Sequence, residues 1–206
     1  MTGTELRGIY GITSTAFGAS HEQAARFFLE GGVRIIQYRE KGADTRTMIR
    51  EASAIRELCR RYGAVFIVDD RIDVAMAAGA DGLHIGQDDL PLSLARKLLP
   101  GKIIGVSAKT AEQAREAETG GASYLGVGTI FPTATKVKTT LIGFEGFGLV
   151  RSAVSLPVFC IGGLKLEHVG ELKRRGADGM AVITSVLGAS DPAAAARKLV
   201  DEWGKG

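Results

Sequence analysis

Short apolar, β-branched runs recur along the chain, each followed by a stretch in which apolar positions fall at helical spacing among Ala, Leu, Glu and Arg. The pattern predicts strands over 8–12, 33–38, 65–68, 82–85, 103–106, 124–127, 158–161 and 179–183. It predicts helices over 21–30, 45–62, 111–119 and 166–175, with a last one over 191–203. The strands read as nearly continuous apolar runs, which suits a parallel sheet covered by helices, and parallel strands need crossovers of about this length. Eight βα units are what a closed barrel requires, so the expected fold is a single-domain (β/α)8 TIM barrel spanning 1–206. A doubly wound open sheet is the alternative.

A weak internal repeat favours closure. Gly79-Ala80-Asp81-Gly82, Gly120-Gly121-Ala122-Ser123 and Gly176-Ala177-Asp178-Gly179 each precede a strand. Such glycines end helices in the left-handed conformation, so these segments are expected to be αβ turns that fix strand register and carry no chemistry. At 206 residues one well-packed core suffices. A hydrophobic fraction of 45% with 24% charged residues excludes a disordered chain. The net charge of +3, with Lys and Arg scattered among Glu, gives no nucleic-acid surface. The N-terminal segment holds no apolar run of signal-peptide length, and nowhere do about 18 apolar residues occur together. A cytoplasmic protein without membrane contact is therefore expected, its oligomeric state open and a homo-oligomer included. Cys59 and Cys160 follow no metal-ligand spacing and are expected to be reduced core thiols.

In barrels of this kind the chemistry sits at the C-terminal ends of the strands, and the residues there are unusually polar. Gln37-Tyr38-Arg39-Glu40-Lys41 follows the second strand, Asp69-Asp70-Arg71 the third, and Gly86-Gln87-Asp88-Asp89 the fourth. Ser107 ends the fifth, and Thr133-Ala134-Thr135-Lys136 follows the sixth. Gly162-Gly163 and Thr184-Ser185 close the seventh and eighth, the two loops that commonly cradle phosphate in this fold. Arg39, Lys41 and Lys136 together suggest more anionic oxygen than one phosphate monoester carries; a diphosphate and a separate phosphate would account for it. Asp70 and Asp89 offer hard oxygens suited to Mg2+, which usually takes one or two carboxylates plus phosphate oxygens and water. Helix capping is the competing role for each. His84, within the fourth strand, is expected to be a hydrogen-bonded core histidine with no proton chemistry.

These blocks carry a resemblance. QYREK at Gln37 to Lys41, DDR at Asp69 to Arg71 and GADGLHIGQDD at Gly79 to Asp89 are followed by GVSAKT at Gly105 to Thr110 and GVGTIFPTATK at Gly126 to Lys136. IGG at Ile161 to Gly163 and GADGMAVITS at Gly176 to Ser185 complete the series. In this order and spacing the chain resembles the thiamine-phosphate synthase family over nearly its full length. The resemblance implies a transferase joining 4-amino-5-hydroxymethyl-2-methylpyrimidine diphosphate to hydroxyethylthiazole phosphate, or its carboxylated form, with release of diphosphate. It implies that Gln37, Arg39, Lys41, Asp69, Ser107 and Lys136 hold the pyrimidine diphosphate, with Tyr38 and Glu40 in the same binding segment. Asp70 and Asp89 would be the magnesium ligands, and Thr133, Ala134, Thr135, Gly163, Ile183 and Thr184 would meet the thiazole phosphate. Arg39, Lys41, Ser107 and Lys136 would be catalytic, stabilising diphosphate as it leaves a pyrimidine methylene cation that the thiazole nitrogen captures. Asp69 stands where the family more often has Asn, and VKTTLIGFEGFGL after Lys136 matches the family poorly.

Three other functions compete. A thiazole tautomerase-like relative would lack much of the diphosphate and metal apparatus, which Arg39, Lys41, Asp70, Asp89 and Lys136 retain. A sugar-phosphate epimerase or isomerase needs an acid-base pair not evident here. A sensor of thiamine intermediates would bind both substrates without turnover.

Overall fold

All eight apolar runs form strands, hydrogen-bonded in parallel in chain order, and the last pairs with the first to close the sheet. The computed structural model describes residues 6–132 and 140–205. The strands are β1 (Gly8–Ile12), β2 (Ile35–Tyr38), β3 (Val65–Asp69), β4 (Gly82–Ile85), β5 (Ile103–Ala108), β6 (Tyr124–Val127), β7 (Val158–Ile161) and β8 (Gly179–Val182). Around them lie α1 (His21–Glu30), α2 (Thr45–Tyr62), α3 (Ile72–Ala77), α4 (Leu92–Leu98), α5 (Ala111–Thr119), α6 (Gly143–Arg151), α7 (Val169–Arg174), α8 (Thr184–Leu187) and α9 (Pro192–Gly204). The fold is a (β/α)8 barrel, and the register Gly8↔Gly179 through Gly11↔Val182 rules out the open sheet.

Two departures from the sequence pattern have local causes. β2 begins at Ile35 because the Val33 N–H is used by Phe28 O, which ends α1. The helix expected over 166–175 is split into a 3-10 turn, Leu166–His168, and α7, with the His168 ring accepting from the Lys165 N–H at the turn's start. The starts of α1, α2, α5 and α9 are marked by side-chain caps. Ser20 and Gln23 form a reciprocal box at α1, Asp44 accepts from Thr47 N–H at α2, and Asp191 accepts from Ala194 N–H just ahead of Pro192 at α9.

Period-two alternation sorts the strand residues into two layers. Ile36, Phe66, Leu83, Ile104, Leu125, Val158 and Met180 point outward and pack with the helices. Tyr10, Ile12, Ile35, Ile67, Tyr124, Phe159 and Ala181 fill the barrel itself. Tyr10, Tyr124 and Phe159 meet edge to face with centroids 5.4–5.8 Å apart, each pair adding about 0.5–1.5 kcal/mol beyond area burial. Room for Tyr124 comes from Gly105, where a Cβ would lie 2.1 Å from its Cζ.

The repeated αβ turns act on register as expected. Asp81 accepts from Phe66 N–H at 2.9 Å and donates its own N–H to Phe66 O. Ser123 does the same with Ile104, and Asp178 with Val158. The residue just ahead of each strand thus ties the base of that strand to the strand before it. The glycines that reverse the chain ahead of Asp81 and Asp178, Gly79 and Gly176, have φ +63° and +80°. Among the described residues no helix is long and apolar enough to cross a membrane.

Candidate active site

A cavity of about 870 Å3 opens at the C-terminal ends of the strands. Its most charged wall is built by β2, β3 and β4. Lys41 Nζ lies 2.8 Å from Asp69 Oδ2 and also donates to Asp70, while Arg39 Nε lies 3.6 Å from Asp69 Oδ2. Burial alone would lower the pKa of Lys41, and the Asp69 and Asp70 carboxylates more than offset that, raising it above its ordinary value. Asp69, only 9% exposed, thereby has its charge balanced by two cations. That accounts for a carboxylate held at so buried a position.

Asp70 has φ +57°, the left-handed region, where Asp is among the few non-glycine residues tolerated. Its N–H donates to His84 O at 2.8 Å, so the turn out of β3 is anchored on β4. Asp89 reaches the same place from the next strand, with Oδ2 accepting from Gly86 N–H at 2.7 Å. Burial first, then the adjacent Asp70 carboxylate within hydrogen-bonding range, raise the pKa of Asp89, against the pull of Gly86 N–H and Lys41. Two carboxylates crowded on neighbouring strand ends form a donor set that a hard cation would relieve. Among the described residues no third His, Cys, Asp or Glu joins them, and Mg2+ characteristically uses few carboxylates and completes its shell with phosphate oxygens and water.

Across the cavity, Gly162, Gly163, Ile183, Thr184 and Ser185 form the opposite wall. Gly163 has φ +63° and a Cβ there would lie 2.6 Å from Pro132 O, so tight packing on the β6 loop already demands glycine. Among the described residues Ser185 Oγ is buried without a hydrogen-bond partner, a cost of about 1–3 kcal/mol unless a ligand oxygen meets it. The bare motif pair Thr184-Ser185 was the only signal for it. Lys109 and Lys165 also line the cavity, and strand-end motifs did not single them out.

Strand alternation places the remaining site candidates. Gln37 points into the barrel, so Tyr38 must point out. Tyr38 OH donates to Glu51 on α2 at 2.7 Å, and its ring packs edge-on to His21. Glu40 turns back beneath the rim, taking His21 Nε2 at 2.9 Å and the N–H groups of Gly42 and Ala43. Of the 37–41 segment, Gln37, Arg39 and Lys41 line the cavity and Tyr38 and Glu40 do not. Thr133, Ala134, Thr135 and Lys136 lie outside the described residues.

Glu40 nevertheless supports the site. Thr13 Oγ1 accepts from Arg39 N–H and meets His21 Nδ1 at 2.8 Å, so Thr13, His21 and Glu40 brace the backbone that carries Arg39 and Lys41. The hydrogen bond from His21, then the Gly42 N–H, hold the Glu40 carboxyl down to about 2 from 4.5. A depressed carboxyl contributes stability that is present above its unfolded value and lost as pH falls through the folded one. Glu40→Gln should therefore melt below the parent at neutral pH, with the difference closing between pH 4.5 and about 2; thermal melts across that interval check it.

The floor of the cavity holds two phenols that sequence reading missed, Tyr10 and Tyr124. Tyr10, Tyr124 and His84 lie beneath Gln37 and Ser107, joined to them by hydrogen bonds of 2.7–3.0 Å. His84 is bonded as expected of a core histidine, yet it lines the cavity.

The thiamine monophosphate synthase family matches this chain over residues 9–186. A thiamine-phosphate synthase of Caldivirga maquilingensis is 48% identical over 198 residues, covering 96% of this chain and 97% of its own. One of Moorella thermoacetica is 49% identical over 195 residues, 93% of each. The solved thiamine phosphate pyrophosphorylase from Pyrococcus furiosus superposes with a TM-score of 0.88 at 40% identity, covering 95% of this chain and 94% of that one. A 3-hexulose-6-phosphate synthase superposes at 0.70 with 20% identity, a likeness of fold alone.

Proposed function

This chain belongs to the thiamine monophosphate synthase family and is a transferase of the thiamine-phosphate synthase type, and from that premise we propose how its rim divides the reaction. The pyrimidine diphosphate lies with its ring over Gln37 and Ser107 and its diphosphate toward Arg39, Lys41 and Lys136. The thiazole phosphate lies across from it, its phosphate toward Gly163, Thr184 and Ser185 and its ring toward Thr133, Ala134, Thr135 and Ile183. Asp70 and Asp89 would hold Mg2+, which supplies Lewis-acid neutralisation of diphosphate oxygens when bound.

The observation that carries this reading is the clustering of Arg39, Lys41, Asp69, Asp70 and Asp89 on three adjacent strand ends at one cavity wall. Lys41 and Arg39 are held there by Asp69 before substrate arrives, so their charges need no reorganisation as the diphosphate departs. Ser107 and Gln37 fix the pyrimidine ring so that its methylene carbon faces the thiazole nitrogen, and the apolar part of the cavity, Ile12, Phe159 and Ile161, limits water that would otherwise take the cation. No protein nucleophile is needed. We place the reaction in the cytoplasm, where buried free thiols such as Cys59 and Cys160 stay reduced.

Titrating Mg2+ into chelator-treated protein with both substrates tests the assignment. Diphosphate release should rise from background to saturation with the metal. Release that is indifferent to chelation would remove Asp70 and Asp89 as metal ligands.

A further inference from the structure

Among the described residues, hydrogen bonds beneath the cavity link side chains from five strands in a file. Gln37 Nε2 donates to Tyr10 OH at 3.0 Å, Tyr10 OH meets Tyr124 OH at 2.7 Å, Tyr124 OH meets His84 Nδ1 at 3.0 Å, and His84 Nε2 meets Ser107 Oγ at 3.0 Å. Both phenols are fully buried and burial raises their pKa values, so each carries one proton and can donate only once. A buried phenol proton must itself be satisfied, and with each one spent on its neighbour the donor at one end sets every bond that follows. Because Gln37 gives an N–H to Tyr10, Tyr10 gives its proton to Tyr124 and Tyr124 gives its own to His84 Nδ1. His84 is then the Nε2–H tautomer and donates to Ser107, whose hydroxyl proton is left for the cavity. At the other end the Gln37 amide cannot turn over without reversing the whole file, so its Oε1 is kept as an acceptor.

We propose that Tyr10, Tyr124 and His84 are positioning residues that couple Gln37 and Ser107, fixing the first as an acceptor and the second as a donor so that the site selects an amino-substituted pyrimidine. The inference rests on the pyrimidine lying over Gln37 and Ser107. A 4-amino group offers N–H to Gln37 Oε1, while an unprotonated ring nitrogen or diphosphate oxygen takes the Ser107 proton. A 4-oxo ring brings an acceptor to an acceptor, and a buried site built for one polarity rejects the other. Freed from Tyr10, the amide of Gln37 could turn its NH2 group to the oxo ring.

The test uses the full chain with Tyr10→Phe and, separately, Tyr124→Phe, which each remove one oxygen and keep the ring packing against Phe159. KM for the 4-amino pyrimidine diphosphate is compared with the inhibition constant of its 4-oxo analogue. The ratio of the inhibition constant to KM, which measures discrimination against the oxo ring, should fall about tenfold in either variant, with KM for the thiazole phosphate unchanged. A loss shared equally by both pyrimidines, or an unchanged ratio, overturns the proposal by showing a merely structural role. An independent readout is the 15N spectrum of His84. The parent should show protonated Nε2 and bare Nδ1, and an Nδ1–H tautomer overturns the proposal whatever the kinetics. Parent protein with the expected tautomer that turns over no pyrimidine diphosphate would instead sink the functional reading beneath it.

Discussion

Asp89→Ala is expected to lower kcat/KM for the pyrimidine diphosphate by about 10^3-fold, the scale of removing one preorganised charge-stabilising group, while leaving the fold at least as stable as the parent. The two halves of that result have one cause. The pKa of Asp89 is raised by burial and by the Asp70 carboxylate, so its charge is unfavourable in the ligand-free protein and its removal relieves repulsion. The same charge is what a cation needs when diphosphate is present. Asp70 calls for a different substitution, because its φ of +57° would strain Ala by roughly 1 kcal/mol. Asp70→Asn keeps a residue that tolerates this conformation and removes only the charge. Melting temperatures near the parent's with activity lost are expected for both, and parental rates in both would remove the metal assignment.

Gly105→Ala is the second large effect, and it acts through packing. The new Cβ would fall 2.1 Å from Tyr124 Cζ and 2.4 Å from its hydroxyl oxygen. Tyr124 cannot retreat, because Tyr10 and Phe159 hold its other faces and its hydroxyl is shared between Tyr10 and His84. Overpacking of this kind costs typically about 1–3 kcal/mol, and denaturant unfolding should show a loss at the upper end. Activity should fall as well, since the displaced ring breaks the file beneath Ser107. The control is Gly148→Ala inside α6, where a Cβ meets none of the described residues within 4 Å and helix propensity predicts a gain of up to about 1 kcal/mol.

Much of this barrel is legible in the sequence because its strands are buried on both faces. β1, β4, β6 and β7 match the apolar runs residue for residue, and the Gly-Ala-Asp-Gly turns mark where strands begin through one repeated side-chain bond. The charged wall was legible too, since Arg39, Lys41, Asp69, Asp70 and Asp89 follow apolar runs directly. Alternation alone, however, says that neighbours face opposite ways without saying which faces in. Only the register β2 shares with β1 and β3 shows that Gln37 points into the barrel and Tyr38 toward α2. The Tyr10–Tyr124 bond joins residues 114 apart in sequence, and no local pattern announces such a pair. The Ser185 hydroxyl was visible only as half of a common dipeptide; its lack of a partner is a property of packing.

On the proposed reading, this rim joins a pyrimidine diphosphate to a thiazole phosphate. Incubating the purified chain with both substrates and Mg2+, and following thiamine phosphate together with released diphosphate, tests it most directly. The account predicts that the two products form in equal amounts and only when both substrates are present. Saturable binding of both substrates with neither product formed would contradict it.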